Sequence, residues 1–258
     1  MNFLKRAVVT AFNTVGYDIR KASSSDKYHI AVELSADEVE LIRYVLDSGY
    51  TMTSVPRLVN TLKSCKYVVE NKIPGNFVEC GVWRGGNGIL AKKIFEAMGS
   101  DKKVWMFDTF EGMTEPTNFD VRAGSKVLAN VKYQETLTET HSEWCFASLE
   151  DVRNNCKSSS IDMSSVKFIK GDVCKTLDIN ENLPKEISVL RLDTDWYEST
   201  KAELEVLYPI LAKQGVLIID DYGHWEGARK AVDEYFENQQ YKPLFNVVDY
   251  TGRTALKV

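Results

Sequence analysis

No two cysteines stand in a CxxC pair, and no Cys/His cluster has zinc-finger spacing. Cys65, Cys80, Cys145, Cys156 and Cys174 are scattered and odd in number. That usage points to reduced thiols in a cytoplasmic protein rather than to a disulfide framework. No apolar run is long enough to cross a bilayer. The N-terminal apolar run is short, is broken by Lys5 and Arg6, and lacks a signal-peptide core and cleavage pattern. Its basic, partly apolar character predicts a small docking or oligomer helix, with weak peripheral membrane contact as the second reading. A basic excess is also missing: 32 Lys and Arg face 37 Asp and Glu, a net charge of −5. Such a chain has no electrostatic footprint for nucleic acid. Internal repeats and low-complexity tracts are absent. His29 and His141 have no supporting context.

What is present suits one α/β domain over residues 1–258, with 44% hydrophobic residues to build a core. Residues 20–29 read as a polar linker inside an N-terminal helical extension, 1–49. A helix is predicted over 36–48, with Ser35 and Glu38 as a capping box. A second, over 54–72, carries Val55, Leu58, Val59, Leu62 and Val69 on one side. Five short apolar strands follow, at 76–80, 103–107, 166–170, 187–192 and 215–219. Helices are expected between them, notably 146–157, 200–213 and 226–238, with a Thr200/Glu203 capping box on the second. Strands alternating with helices predict a mostly parallel central sheet flanked by helices. The long gap after the second strand leaves 111–145 as an insertion beside the ligand edge, expected to act as a lid.

The carboxyl ends of these strands carry Asp108, Asp172, Asp193 and the Asp220–Asp221 pair, with Glu79 one residue from the end of the first. Ligands of open α/β sheets bind at that edge. Residues 77–88, FVECGVWRGGNG, run from a strand through glycines into a helix, which allows close backbone approach to a ligand. The spacing is not G-x-G-x-x-G, and the Lys-Ser/Thr ending of a P-loop is missing. S-adenosylmethionine (SAM) fits better than a dinucleotide, because it has no pyrophosphate to neutralise. Asp108 follows Glu79 by 29 residues and suits the ribose hydroxyls.

Asp193, Asp220 and Asp221 crowd three carboxylates together, which calls for protons or a cation. A hard divalent ion, most simply Mg²⁺, resolves the repulsion. Asp195 is placed to accept a proton from a hydroxyl activated there. His224 is a second catalytic candidate. Trp83, Trp196, Tyr197 and Trp225 fall near the same loops.

FVECGVWRGG, FDTFEGM, LDTDWYEST and DDYGHWEGARKAVDEYF resemble the macrocin O-methyltransferase family, from about Tyr50 onward. The resemblance implies a Rossmann-like class I methyltransferase fold and metal- and SAM-dependent methylation of sugar hydroxyls on natural products or glycans. It implies Asp193, Asp220 and Asp221 as metal ligands and Asp195 as base. It implies a SAM site from Tyr50, Thr51 and Met52, Glu79, Gly81 and Trp83 to Gly86 (with Arg84 and Gly85), Asp108, Thr109 and Phe110, and Asp172 and Val173. It makes a homo-oligomer the expected assembly. The catalytic Lys of catechol-type enzymes is replaced here by Trp196. Two alternatives remain: an NAD(P)-linked sugar oxidoreductase or epimerase using Tyr197 and Lys201, and a non-catalytic SAM-binding scaffold.

Overall fold

The computed structural model describes residues 28–258. The basic N-terminal segment and most of the 20–29 linker lie outside the described residues. Ala36–Asp47 forms α1, closed by a reciprocal cap in which the Ser35 hydroxyl accepts the Glu38 amide and the Glu38 carboxylate accepts the Ser35 amide. Val55–Glu70 forms α2, started by Ser54 and by Pro56 in the first turn. Leu58, Leu62, Cys65 and Val68 make its buried stripe.

Asn76–Cys80 (β1), Val104–Asp108 (β2), Val166–Lys170 (β3), Ile187–Leu192 (β4) and Leu211–Ile219 (β5) pair in parallel. Asn246–Val247 (β6) and Arg253–Leu256 (β7) complete a seven-stranded sheet of order β3-β2-β1-β4-β5-β7-β6. β7 runs antiparallel to both neighbours. Sequence patterning did not place β6 and β7, because each is short and both residues of β6 are exposed, leaving no alternation to read.

The helices after α2 are Gly86–Ala97 (α3), Ala129–Thr136 (α4), Leu149–Ser158 (α5), Val173–Thr176 (α6), Tyr197–Leu207 (α7) and Glu226–Glu237 (α8). α1, α2, α3 and α5 share one buried cluster with the Phe77, Val189 and Ile218 face of the sheet. α6, α7 and α8 pack on the opposite face, against Val78, Leu190 and Leu217. Each such fully buried Leu, Ile or Phe stabilises the fold by about 1.5–3 kcal/mol through burial. The strand order reverses between β1 and β4, so a crevice opens there at the carboxyl edge.

The limits of α7 and β5 differ most from expectation. α7 starts at Tyr197 rather than at 200 and ends at Leu207, and β5 begins at Leu211. Thr200 and Glu203 therefore lie inside α7 and form no capping box. The Tyr197 amide is satisfied from far away, by the Asp120 carboxylate at 2.8 Å. A cap from the 111–145 segment leaves no local signature.

That segment crosses the carboxyl edge of the sheet. It contains α4 and is tied down by a short bridge between Arg122 and Trp225. Ala129 and Trp144 bury against Trp196 and Trp225 in a third cluster. All five cysteines are free. No helix among the described residues is long and apolar enough to cross a membrane.

Candidate active site

Sheet register builds the floor of the site. Glu79 of β1 pairs with Arg191 of β4, and side chains alternate across a strand, so both point to the α2 face. Asp193 follows two residues after Arg191, and Asp220 emerges from the end of β5 beside it. Arg191 is fully buried and ion-paired to Glu79, Asp193 and Asp220. Arg57 reaches over from α2 to Asp220 and, at 3.1 Å, to Asp249. Both Asp220 oxygens are thus held by guanidinium groups. Gly81 makes the crossing possible: a Cβ there would strike the Asp193 carbonyl.

A second set of carboxylates sits beside this network. Asp193, Asp195 and Asp221 each present an oxygen within 4.8 Å of the others. Carboxylates this close repel one another unless they are hydrogen-bonded or bridged. A hydrogen bond between carboxyl groups requires a proton, and a hard cation can take its place. Burial pushes Asp193 and Asp221 well above the ordinary carboxylate range, and repulsion from neighbouring carboxylates adds to it. Burial, followed by the charge of Asp193, pushes Asp195 up to about 7. Asp195 has φ 70°, a left-handed conformation uncommon for a residue with a Cβ. The Trp225 indole N–H holds its carboxylate at 3.0 Å.

Both sets open onto a cavity of about 600 Å³. Its walls include Tyr50, Thr51, Met52, Glu79, Gly81, Trp83, Asp108, Asp193, Asp195, Asp220, Asp221 and His224. Gly86 donates its amide to the Tyr50 carbonyl at 3.0 Å, and a Cβ on Gly86 would strike that carbonyl, so the Tyr50–Met52 stretch lies directly over the glycine turn. Glu79 Oε2 is buried with no hydrogen-bond partner. Burial raises the Glu79 pKa to about 7 even though Arg191 opposes the shift. Thr109, Asp172 and Val173 line a smaller cleft that shares Gly81, Asp108 and Asp193 with the cavity.

The remaining candidates are placed differently. Arg84 turns outward to Asp151 and the Gly49 carbonyl, at 3.1 and 3.0 Å. Gly85 is the left-handed N-cap of α3. Phe110 is buried against Phe168. Asp108 accepts amides from Val82, Trp83 and Phe110 at 2.7, 3.1 and 2.7 Å, so it fixes the glycine turn as well as walling the cavity. Asp172 caps α6 by accepting the Cys174 amide. His224 faces the cavity and bonds the Tyr250 hydroxyl at 3.1 Å. Its pKa is lowered by burial first, then by Arg122, Arg57 and Lys132. Tyr197 turns instead to Glu234, 2.7 Å away, so the Tyr197/Lys201 pair of the oxidoreductase alternative is not assembled at the cavity.

Arg57, Arg122, Lys132 and Tyr250 also line the cavity and were not read as site residues. Neither was Arg191, although a lone charge in the strand ISVLRL was a signal that could have found it. Nothing in the helical pattern of α2 distinguishes Arg57 from a solvated residue.

A switch-point crevice, a glycine turn after β1 and acids on successive strand ends define a Rossmann-like class I methyltransferase. The chain is an O-methyltransferase and belongs to the macrocin-O-methyltransferase (TylF) family, whose model matches residues 9–255. It is 34% identical over 192 residues to demethyldecarbamoylnovobiocin O-methyltransferase of Streptomyces niveus, covering 73% of this chain and 68% of that protein. It is 34% identical over 206 residues to 8-demethyl-8-(2,3-dimethoxy-alpha-L-rhamnosyl)-tetracenomycin-C 4'-O-methyltransferase of Streptomyces olivaceus, covering 79% and 74%. Among solved structures it resembles the O-methyltransferase NovP, with a TM-score of 0.69, 31% identity, and coverage of 81% and 82%.

Proposed function

We propose that this enzyme transfers the methyl group of SAM to a sugar hydroxyl of a glycosylated small molecule or glycan, with a divalent cation, most simply Mg²⁺, on the acceptor side. The observation that carries the reading is the carboxylate trio on the wall of the same cavity that holds the unpartnered Glu79 oxygen. An ammonium group is the natural partner for that oxygen, and SAM supplies one in its aminocarboxylate end. Asp108 and the Asp172–Val173 corner suit ribose and adenine. The relatives are named for methylating demethyldecarbamoylnovobiocin and a rhamnosyl-bearing tetracenomycin.

Asp193 and Asp221 would hold the cation, and Asp220 would join them by exchanging Arg57. A bound divalent cation lowers the pKa of a coordinated hydroxyl. Asp195, oriented by Trp225, accepts the hydroxyl proton. The acceptor oxygen then forms its bond to the methyl carbon as the carbon–sulfur bond breaks and S-adenosylhomocysteine leaves. Trp144 and Trp225, which line the cavity, exclude water from this end of it.

Incubation with deuteromethyl-SAM and a panel of deoxysugar glycosides, read by mass spectrometry, tests the reading. A mass gain on one glycoside should need added Mg²⁺ and vanish with chelator. Asp193→Asn and Asp195→Asn should each lower turnover by about 10²–10⁴-fold, the usual share of a positioned acid–base group or more. Turnover that survives both substitutions would remove these roles.

A further inference from the structure

The outer end of the cavity has the opposite charge from its floor. Arg122 and Lys132, both contributed by the segment over the sheet edge, line it. Among the described residues neither has a carboxylate partner, whereas Lys126 in the same segment is paired with Glu226. Arg57 and Arg191, the other cations at the site, are neutralised by Asp220, Asp249, Glu79 and Asp193.

Both side chains are exposed, but they rise from parts of the segment that are held in place. The Arg122 backbone is bridged to Trp225, its amide is bonded to the Val127 carbonyl at 2.9 Å, and the next amide, of Ala123, donates to the His224 carbonyl at 2.8 Å. Arg122 is therefore clamped to the loop that carries Asp221 and His224. Lys132 lies over the Trp144 ring, 4.3 Å from its centroid, and Trp144 is packed against Trp196 and Trp225. His224 lies within the field of both cations.

Resting on the reading of this cavity as the acceptor site, we infer that Arg122 and Lys132 form a subsite for an anionic group, and that the acceptor is an acidic saccharide bearing a carboxylate or a phosphate. Polarity then sets its orientation. The cationic rim draws the anion to the outer end of the cavity, so a neutral hydroxyl is left to face Asp195. Charge at the rim also raises the encounter rate for such a substrate.

Calorimetric titration of methyl glucuronoside, glucose 1-phosphate and neutral methyl glucoside into enzyme saturated with S-adenosylhomocysteine tests this. At least one acidic sugar should bind about tenfold more tightly than the neutral one, the size that two partly exposed charge pairs give. Which acidic sugar gains identifies the anion as carboxylate or phosphate. The preference should disappear in Arg122→Gln/Lys132→Gln and survive in Lys126→Gln, with S-adenosylhomocysteine affinity unchanged in both as the check on folding. Equal binding of all three sugars by the wild type, or a preference that persists in the double variant or is lost in the Lys126 control, overturns the inference and leaves the methyl-transfer reading standing. Failure of the wild type to bind S-adenosylhomocysteine strikes that reading instead.

Discussion

Arg191 is the residue on which the floor of the site depends. It is fully buried, and three carboxylates share its charge. Removing one partner from such a network leaves uncompensated charge in a low dielectric. Arg191→Met should therefore lower unfolding free energy by about 3–5 kcal/mol in urea melts. A loss under about 1 kcal/mol would mean that water reaches these acids. Glu203, also buried, is a different case. It accepts the Thr194 hydroxyl at 2.8 Å, between Asp193 and Asp195, and its second oxygen has no partner. Burial raises its pKa from 4.5 to about 8. The folded state thus binds this proton more tightly than the unfolded chain. The associated stability is complete below 4.5, declines as pH rises toward 8, and is flat above. Glu203→Gln cannot titrate, so its stability relative to wild type should grow between about pH 5 and about pH 8. Urea midpoints that keep a constant gap across that window would contradict the assignment.

At the scale of elements, local chemistry was readable and long-range chemistry was not. Ser35 and Glu38 announce the start of α1, and their reciprocal bonds form as the spacing requires. β1, β3 and β4 have the predicted limits because apolar runs end abruptly at polar loop residues. The start of α7 was misplaced because its first amide is satisfied by Asp120, 77 residues away. Asp120 is itself buried and also accepts the Thr117 amide at 2.6 Å. It therefore joins the 111–145 segment to the helix that follows the carboxylate loop. Asp120→Ala should cost about 1–3 kcal/mol through the unsatisfied Tyr197 amide and speed proteolytic cleavage within 111–145. Unchanged cleavage would show that the segment is held by its tryptophans alone.

For the whole molecule, the acids on successive strand ends were legible because a parallel sheet delivers them to one edge whatever the loops do. Their partition was not legible. Sequence suggested one group of Asp193, Asp220 and Asp221. The fold gathers Asp193, Asp195 and Asp221 and gives both Asp220 oxygens to Arg57 and Arg191. That division depends on α2 crossing the crevice, a tertiary fact no motif encodes. On the proposed function, Glu79 would mark the cofactor end of the cavity and the carboxylate trio its acceptor end. Calorimetric titration of SAM into wild type and Glu79→Gln, with Mg²⁺ and then with excess chelator, tests this two-ended account most directly. The account predicts equal SAM affinity with and without the metal, and about 10–100-fold weaker binding in Glu79→Gln, the worth of one charge-assisted hydrogen bond. SAM binding that disappears with chelator, or that ignores the Glu79 substitution, would contradict it.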